Sequence, residues 1–156
     1  MFPKMRRFKQ EISKEKCIEI LKKEPRGVLA MSEIDGYPYA LPMDHYYEDG
    51  KLYFHGAKVG TKIDCLQKQN KVSYCVMDSG VQKENHWSLM IQSVVVFGKV
   101  SFINDEQEAE KIVRRLAAKY NSNQKEIDEE VLRAKERLQV FALEIDSMTG
   151  KLVNEA

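Results

Sequence analysis

The most informative stretch of the sequence is LYFHGAKVGTK, residues 52–62. Its apolar residues carry a strand as far as His55, glycines then interrupt the pattern, and helical spacing begins at Thr61. The start of a helix offers free backbone N–H groups, to which Thr61 adds a hydroxyl and Lys62 an ammonium. Because these groups all attract negative charge, the stretch predicts an anion site. An ordinary strand-to-helix turn with a solvated lysine is the alternative.

His55 is the candidate acid–base group, since the strand delivers it to the same loop. A histidine there could hydrogen-bond a ligand or exchange a proton near neutral pH, and a partly buried structural histidine is the alternative. His45 and His86 have weaker context, and the three histidines show no metal-ligand spacing. The three cysteines form no CxxC pair, so we predict neither a metal site nor a disulfide framework.

A third candidate segment is IQSVVVFG, residues 91–98. Ser93 opens an apolar strand and could place a hydroxyl and main-chain groups against a planar polar ring. A core strand that tolerates one serine is the alternative. Gly98 within the strand predicts a bulge or a barrel corner.

The rest of the chain reads as a helix, a run of strands, two helices and a last strand. Turn signals occur at Asp35-Gly36 and Asp49-Gly50, and Pro42 predicts a strand edge, a bulge or a break. Without regular βαβ alternation, the pattern predicts a mainly β fold, a small antiparallel barrel with peripheral helices, in a single domain over 1–156. The predicted elements are a helix over 13–23, barrel strands over 26–103 with an inserted helix over 61–69, two helices within 105–137, of which the second runs from about Ile127 to Arg137, and a final strand over 138–146.

Composition excludes several classes of protein. The chain has 156 residues, of which 31% are charged, and its formal net charge of +1 gives no electrostatic basis for binding nucleic acid. No window approaches the ~18 apolar residues of a membrane span. Residues 1–10 lack the apolar core of a signal peptide, so we expect a cytoplasmic protein.

Three segments in this order resemble the pyridoxamine-phosphate-oxidase-like FMN-binding split barrels, and more narrowly the 5-nitroimidazole resistance family. They are DGYPYALPM over 35–43, DGKLYFHGAKVGTK over 49–62 and SVVVFGKV over 93–100. The resemblance covers roughly residues 5–120. It implies an antiparallel split β-barrel of the FMN-binding type and a homodimer with FMN held between the protomers.

Carried over position by position, the resemblance implies a set of cofactor-binding residues: Leu41, Pro42, Met43, Phe54, His55, Gly56, Ala57, Lys58, Thr61, Lys62, Ser93 and Val94. Leu41 to Met43 would line the isoalloxazine, Phe54 to Ala57 would follow the ring and ribityl chain, and Thr61 with Lys62 would hold the phosphate. Ser93 and Val94 would approach the ring from a neighbouring strand. The oxidase branch has a Ser-Arg-Lys triplet where this chain has Gly60-Thr61-Lys62. The missing arginine removes one positive charge, for which Lys58 is the candidate replacement.

The activity that the resemblance implies is two-electron reduction of a nitro group on a small aromatic substrate, with His55 as the catalytic residue. No Rossmann glycine fingerprint is present, so NAD(P)H or another reductant would dock transiently. Four readings stay open at this point. They are a flavin-dependent reductase, a flavin-binding or sensing protein without turnover, the same barrel holding haem on His55 or a deazaflavin, and an interaction module without a cofactor.

Overall fold

The computed structural model describes residues 1–153. A short 3-10 helix spans Phe8–Gln10. The four α-helices are α1 (Lys14–Lys23), α2 (Thr61–Lys68), α3 (Glu106–Tyr120) and α4 (Gln124–Ala134). The strands are β1 (Glu11–Ile12), β2 (Arg26–Ile34), β3 (Tyr37–Asp44), β4 (Tyr46–Glu48), β5 (Lys51–Ala57), β6 (Lys71–Met77), β7 (Val81–Gln82), β8 (Leu89–Ile103) and β9 (Leu138–Val153).

The strands form one antiparallel sheet in the order β3-β2-β6-β8-β9-β5-β4. The long strands β8 and β9 pair with each other from Ile91–Val153 to Ile103–Val140, and they join the two halves of the sheet. β6 pairs with the middle of β8, from Ser93 to Lys99, and β5 pairs with the first half of β9. The predicted mainly β, antiparallel fold with peripheral helices is confirmed.

Both predicted hairpin turns are present, because an aspartate and a glycine adopt positive φ at each. The φ angles are 50° at Asp35 and 84° at Gly36, and 48° at Asp49 and 77° at Gly50. This is the twist that a two-residue hairpin needs. Pro42 lies on β3, which is an edge strand, so its missing N–H disrupts no central ladder. The pairing of β8 with β9 shifts register between Phe97 and Gly98, at the predicted bulge.

The main core fills the inside of the barrel. Fully buried large side chains there include Leu29, Leu52, Phe54, Tyr74, Val94 and Phe141. A second apolar cluster packs α3 and α4 against the outer side of β5 and β9, through Ile112, Val113, Ile127, Val131 and Val140. The helices therefore cover one flank of the barrel. Among the described residues, no helix is long and apolar enough to cross a membrane.

Three predicted boundaries need correction. α2 ends at Lys68, not at 69. α4 spans Gln124–Ala134, three residues earlier than the predicted 127–137, because the Asn123 carboxamide caps it by accepting from the N–H groups of Lys125 and Glu126. The final strand continues beyond 146 to Val153, because its second half pairs with β1 and β8. α1 agrees with the prediction, and Ser13 caps it through the N–H of Lys16.

Candidate functional site

The two ends of the sheet meet without pairing. Within the described part of the chain, β3 pairs only with β2, and β4 pairs only with β5, although His45 alone separates β3 from β4. The barrel is therefore open along a line between β3 and the β4–β5 hairpin, which we call the seam. An edge strand leaves backbone N–H and C=O groups without sheet partners, so the seam can bind a ligand through its main chain.

An open pocket of about 340 Å³ lies at the seam. We call it the seam pocket, and it is lined by Arg26, Leu41, Pro42, Met43, Asp44, His55 and Lys62. Five of these seven residues were predicted as cofactor-binding from two separate segments of the sequence. Arg26 and Asp44 were not predicted.

The ammonium of Lys62 lies directly over the backbone of Gly56. A Cβ atom placed on Gly56 would come 2.2 Å from Lys62 Nζ, so only a glycine leaves room for the lysine there. Among the described residues, no carboxylate forms an ion pair with Lys62, and burial lowers its pKa. A partly desolvated ammonium without a counter-ion is suited to an anionic ligand.

The start of α2 adds backbone donors next to Lys62. Gly60 precedes the helix with a φ of 126°, a conformation that strongly favours glycine, and no side chain caps the first turn. The first N–H groups of the helix are therefore available to an acceptor. The exposed Thr61 begins this turn.

Arg26 and Asp44 form an ion pair at the mouth of the seam pocket. Arg26 Nε lies 2.6 Å from Asp44 Oδ1, with side chains that are 62% and 39% exposed. The pair joins β2 to β3, where these two residues face each other in register. With Lys62, the pocket holds two cationic side chains and one carboxylate. Sequence reasoning missed the pair because charged residues at strand ends are common and nothing in the pattern connects these two.

His55 is half-buried beside these charges, and no hydrogen bond to a described residue occupies its ring nitrogens. Burial lowers its pKa; Glu130 and Asp44 oppose that shift, and Lys62 adds to it. The ring is therefore neutral at neutral pH, with one nitrogen that donates and one that accepts. His55 can exchange a proton or a hydrogen bond with a ligand in the seam pocket.

A buried polar cluster fixes the corner where β3 turns into β4. His45 is fully buried; its Nε2 lies 2.6 Å from the Leu21 carbonyl, and its Nδ1 lies 2.7 Å from the Tyr74 hydroxyl. Tyr74 also donates to the Met43 carbonyl at 2.7 Å. Burial and the nearby Lys119 lower the pKa of His45 to about 4. The cluster thus holds the Met43–His45 backbone in place behind the seam pocket.

The C-terminus of α3 holds the same corner from outside the barrel. Lys119 Nζ donates to the carbonyls of Glu24 and His45, at 2.8 Å each. The Tyr120 hydroxyl lies against the carbonyls of Pro25 and His45. Burial lowers the pKa of Lys119 to about 8 and raises that of Tyr120 to about 12. α3 therefore stabilises one wall of the seam although it lines no part of the pocket.

Comparison with known families decides where the chain belongs. A family profile described as pyridoxamine 5'-phosphate oxidase matches residues 13–152. The chain belongs to the pyridoxamine 5'-phosphate oxidase family. No curated protein sequence is significantly similar to it.

Solved structures support the family assignment. A candidate 5-nitroimidazole antibiotic resistance protein from Bacteroides thetaiotaomicron is 26% identical with a TM-score of 0.79, over 91% of this chain and 86% of that one. An FAD-binding protein from Mesorhizobium loti is 21% identical, with a TM-score of 0.66 over 93% and 98%. An FAD- and haem-binding protein from Mycobacterium smegmatis is 22% identical, with a TM-score of 0.68 over 95% and 74%. The predicted split-barrel fold and the predicted family are both confirmed.

Within this pyridoxamine 5'-phosphate oxidase family member, several predicted site residues lie outside the seam pocket. Phe54 is fully buried, stacked on Phe141 with ring centroids 5.2 Å apart, so only its main chain can meet a ligand. Gly56 and Ala57 pair with Gln139 and Leu138 at the end of β5. Lys58 lines a different pocket, of about 450 Å³, between α3, α4 and β9.

Ser93 and Val94 lie on β8, far from the seam pocket of the same chain. The Val94 side chain is fully buried and faces the barrel interior. Ser93 is half-buried and pairs with Met77 on one side and Lys151 on the other. Between β3 and β8 lie β2 and β6, so three strand spacings, about 14 Å, separate Ser93 from β3. Ser93 and Val94 line no part of the seam pocket.

Proposed function

We propose that this chain is an FMN-dependent oxidoreductase that holds the flavin in the seam pocket and reduces a small nitroaromatic or similar substrate. The observation that carries the proposal is the Lys62 ammonium, which lies over Gly56 in the same pocket as His55 and forms no ion pair with a carboxylate of residues 1–153. The similarity of this chain to the candidate nitroimidazole resistance protein supports the proposed class of substrate.

The phosphate of FMN fits the α2 end of the seam pocket. Uncapped N–H groups, the Thr61 hydroxyl and the Lys62 ammonium are all donors, and a phosphate accepts only. Arg26 supplies the second positive charge that the sequence lacks at position 61, and it does so from a different strand. Asp44 already neutralises part of this charge, so Lys62 is the principal anchor and Arg26 the secondary one.

The flavin ring fits along β3. Leu41, Pro42 and Met43 present an edge-strand backbone at the seam, where N–H and C=O groups have no sheet partner on the outer side. Bound FMN would supply the two-electron redox chemistry, and the protein would position it. The neutral His55 ring would orient the substrate through a hydrogen bond or, after taking up a proton from solvent, pass that proton to it. NAD(P)H would dock transiently over the open face of the pocket.

A second copy of the chain would complete the site. The outer face of the sheet carries the register row Pro42, Val28, Cys75, Val95 and Thr149 across five strands. Val28 is 40% exposed and the neighbouring Met77 is 61% exposed, so this face leaves apolar surface in water. A homodimer packed on it would cover that surface and bring Ser93 of one protomer toward β3 of the other.

An absorption spectrum tests the binding claim. The purified protein is mixed with FMN, freed of excess by gel filtration, and scanned. We expect retained bands near ~375 and ~450 nm, the usual positions for an oxidised flavin. Lys58→Ala serves as the matched control for Lys62→Ala, because Lys58 lies in the loop just before α2, Lys62 lies in its first turn, and only Lys62 lines the pocket. Lys62→Ala should weaken FMN binding about tenfold to a hundredfold, since a hydrogen bond to a charged group contributes about 1.5–3 kcal/mol.

The same sample separates the competing functions. Anaerobic NADH or NADPH should bleach the flavin bands, and a 5-nitroimidazole should restore them. Bound flavin that no nicotinamide reduces would instead support a storage or sensing protein. An intense Soret band in place of flavin bands would support haem, and a colourless protein that takes up no flavin would support the interaction module. Unchanged turnover in His55→Ala with FMN still bound would remove His55 from the chemistry.

A further inference from the structure

A projecting hairpin carries the sole tryptophan of the chain. This tip hairpin, residues 78–92, contains β7 and the start of β8, paired through Val81–Met90 and Gln82–Leu89. Three of its apolar side chains are exposed: Trp87 at 86%, Val81 at 63% and Leu89 at 42%. An indole left almost wholly in water indicates a surface that has a partner.

Hydrogen bonds stabilise the tip hairpin at its base and near its tip. The Asp78 carboxylate accepts from the N–H groups of Gly80 and Gln92, at 3.0 and 3.1 Å, and from Gln92 Nε2 at 3.3 Å. Near the tip, Gln82 Nε2 donates to the His86 carbonyl at 2.8 Å. The backbone that carries Trp87 is therefore held by hydrogen bonds on both sides of that residue.

The tip hairpin begins at the same end of the sheet as the seam pocket. β2 and β6 align Gly27 with Val76, and β6 and β8 align Met77 with Ser93. Arg26 in the pocket and Ser93 below the hairpin therefore lie at one level along the strands. They are separated sideways by three strand spacings, about 14 Å, counted from β3 to β8.

A two-fold axis in the proposed homodimer interface would bring the tip hairpin of one protomer close to the seam pocket of the other. If it runs parallel to the strands near β6, the β8–β9 half of one protomer faces the β3–β2 half of the other. Such an axis preserves each residue's level along the strands, so the tip hairpin of one protomer reaches the end of the sheet where its partner's seam pocket opens. The exposed Met77 and the exposed hairpin side chains are then buried together.

Resting on the proposed function, we propose that Trp87 closes the seam pocket of the partner protomer. Each site is then composite: one chain supplies the anion anchor and His55, and the other supplies an aromatic wall. An indole beside the pocket excludes water and stacks on a flat ring, so it favours planar aromatic ligands over aliphatic ones of equal size. The open seam pocket is incomplete in a single chain and complete in the dimer.

Mixed dimers test the assignment between chains. Trp87→Ala and Lys62→Ala chains carry different affinity tags, are refolded together, and the dimers that carry both tags are isolated. In a mixed dimer, the Trp87→Ala chain keeps its own pocket and receives Trp87 from the other chain. We expect one flavin bound per mixed dimer at close to wild-type affinity, while both parent homodimers bind about tenfold more weakly or worse. If Trp87 acted on its own chain's pocket, both sites would be damaged and neither would recover.

Fluorescence supplies a readout that is independent of activity. Because Trp87 is the sole tryptophan, flavin bound beside it should quench most of the protein's indole emission, and Trp87→Phe should retain flavin while losing that signal. Lys83→Ala, an exposed change on the same hairpin, is the control and should leave both readouts unaltered. The proposal is overturned if wild-type protein binds flavin with unquenched emission, or if mixed dimers bind no better than their parents. Wild-type protein that retains no flavin would overturn the proposed function itself.

Discussion

His45 and His55 lie on either side of the corner where β3 turns into β4, and they differ in burial and in hydrogen bonding. His45 is fully buried, with both ring nitrogens hydrogen-bonded to protein, whereas His55 is half-buried and neither of its nitrogens bonds to any residue that the structure describes. Burial lowers the pKa of both, so a shifted pKa does not tell the two roles apart. The unused hydrogen-bonding capacity of His55 does, because buried polar groups that serve structure alone are normally satisfied within the protein.

The largest effect that this comparison predicts is on stability. His45→Ala removes one of the two partners of Tyr74, which keeps the Met43 carbonyl, and leaves the Leu21 carbonyl unsatisfied. A buried group left unsatisfied costs about 1–3 kcal/mol, and the cavity left by the imidazole adds to that loss. We expect the free energy of unfolding to fall by about 3 kcal/mol or more. His55→Ala should change it by less than about 0.5 kcal/mol, as for other substitutions that break no internal contact. Urea unfolding of both variants checks this, and equal losses would erase the distinction.

The next effect is on the pH dependence of stability. The pKa of His45 is about 4 in the folded chain, against 6.5 for an ordinary histidine, so the unfolded chain binds more protons between these values. Stability should therefore be complete above pH 6.5 and fall as the pH drops toward 4, by about 3 kcal/mol in all. Lys119 opposes the charged ring and Asp44 favours it, and the shift already reflects both.

Acid titration of unfolding in two variants isolates this contribution. His45→Asn should flatten the slope of stability between pH 6.5 and 4. His86→Asn, which alters an exposed histidine, should leave it as in the unmodified chain. An unchanged slope in His45→Asn would assign the acid sensitivity to carboxylates elsewhere.

The smallest predicted effect is on FMN binding, through Lys62, which lies in the seam pocket with His55. In Gly56→Ala the new methyl group displaces Lys62 Nζ, the far end of a flexible side chain, so folding should change little while FMN binding weakens about tenfold. Gly98→Ala is the opposite case, because its methyl group would lie 2.2 Å from the Glu144 backbone carbonyl, which cannot move aside. That variant should lose stability, and flavin titration with urea unfolding separates the two outcomes. A Gly56→Ala protein that binds FMN normally would mean that Lys62 is not the anchor.

Local signals in the sequence account for much of the fold. The Asp-Gly turns, the Ser13 cap and the position of α2 depend on neighbouring residues, so patterns along the chain predict them. The second half of β9 cannot be predicted from neighbouring residues. Asp146, Ser147 and Thr149 read as the end of a strand, and only pairing with β1 and β8, which are remote in sequence, extends it. The start of α4 was missed because the acidic run 128–130 resembles a first turn more than Asn123 resembles a cap.

The candidate site likewise has a part that neighbouring residues predict and a part that depends on strand pairing between remote residues. Residues 41–43 meet His55 and Lys62 in the seam pocket because β3 leads through His45 into the β4–β5 hairpin, a short path along the chain. Arg26 joins them through strand pairing, which periodicity does not reveal. Ser93 illustrates the remaining difficulty. Its predicted contact with the flavin ring stays a prediction, because the homodimer that would bring Ser93 toward β3 of a second chain is itself a proposal.

The open seam has a consequence for how such a barrel can change over evolution. No backbone pairing joins β3 to the β4–β5 hairpin in the described chain, so substitutions along the gap need not disturb strand register or the core. Substitutions that change which cofactor binds at the proposed site can therefore occur without changing how the chain folds. Similar barrels include an FAD-binding protein and an FAD- and haem-binding protein, a diversity that is expected when the residues that select a ligand are separate from those that determine the fold.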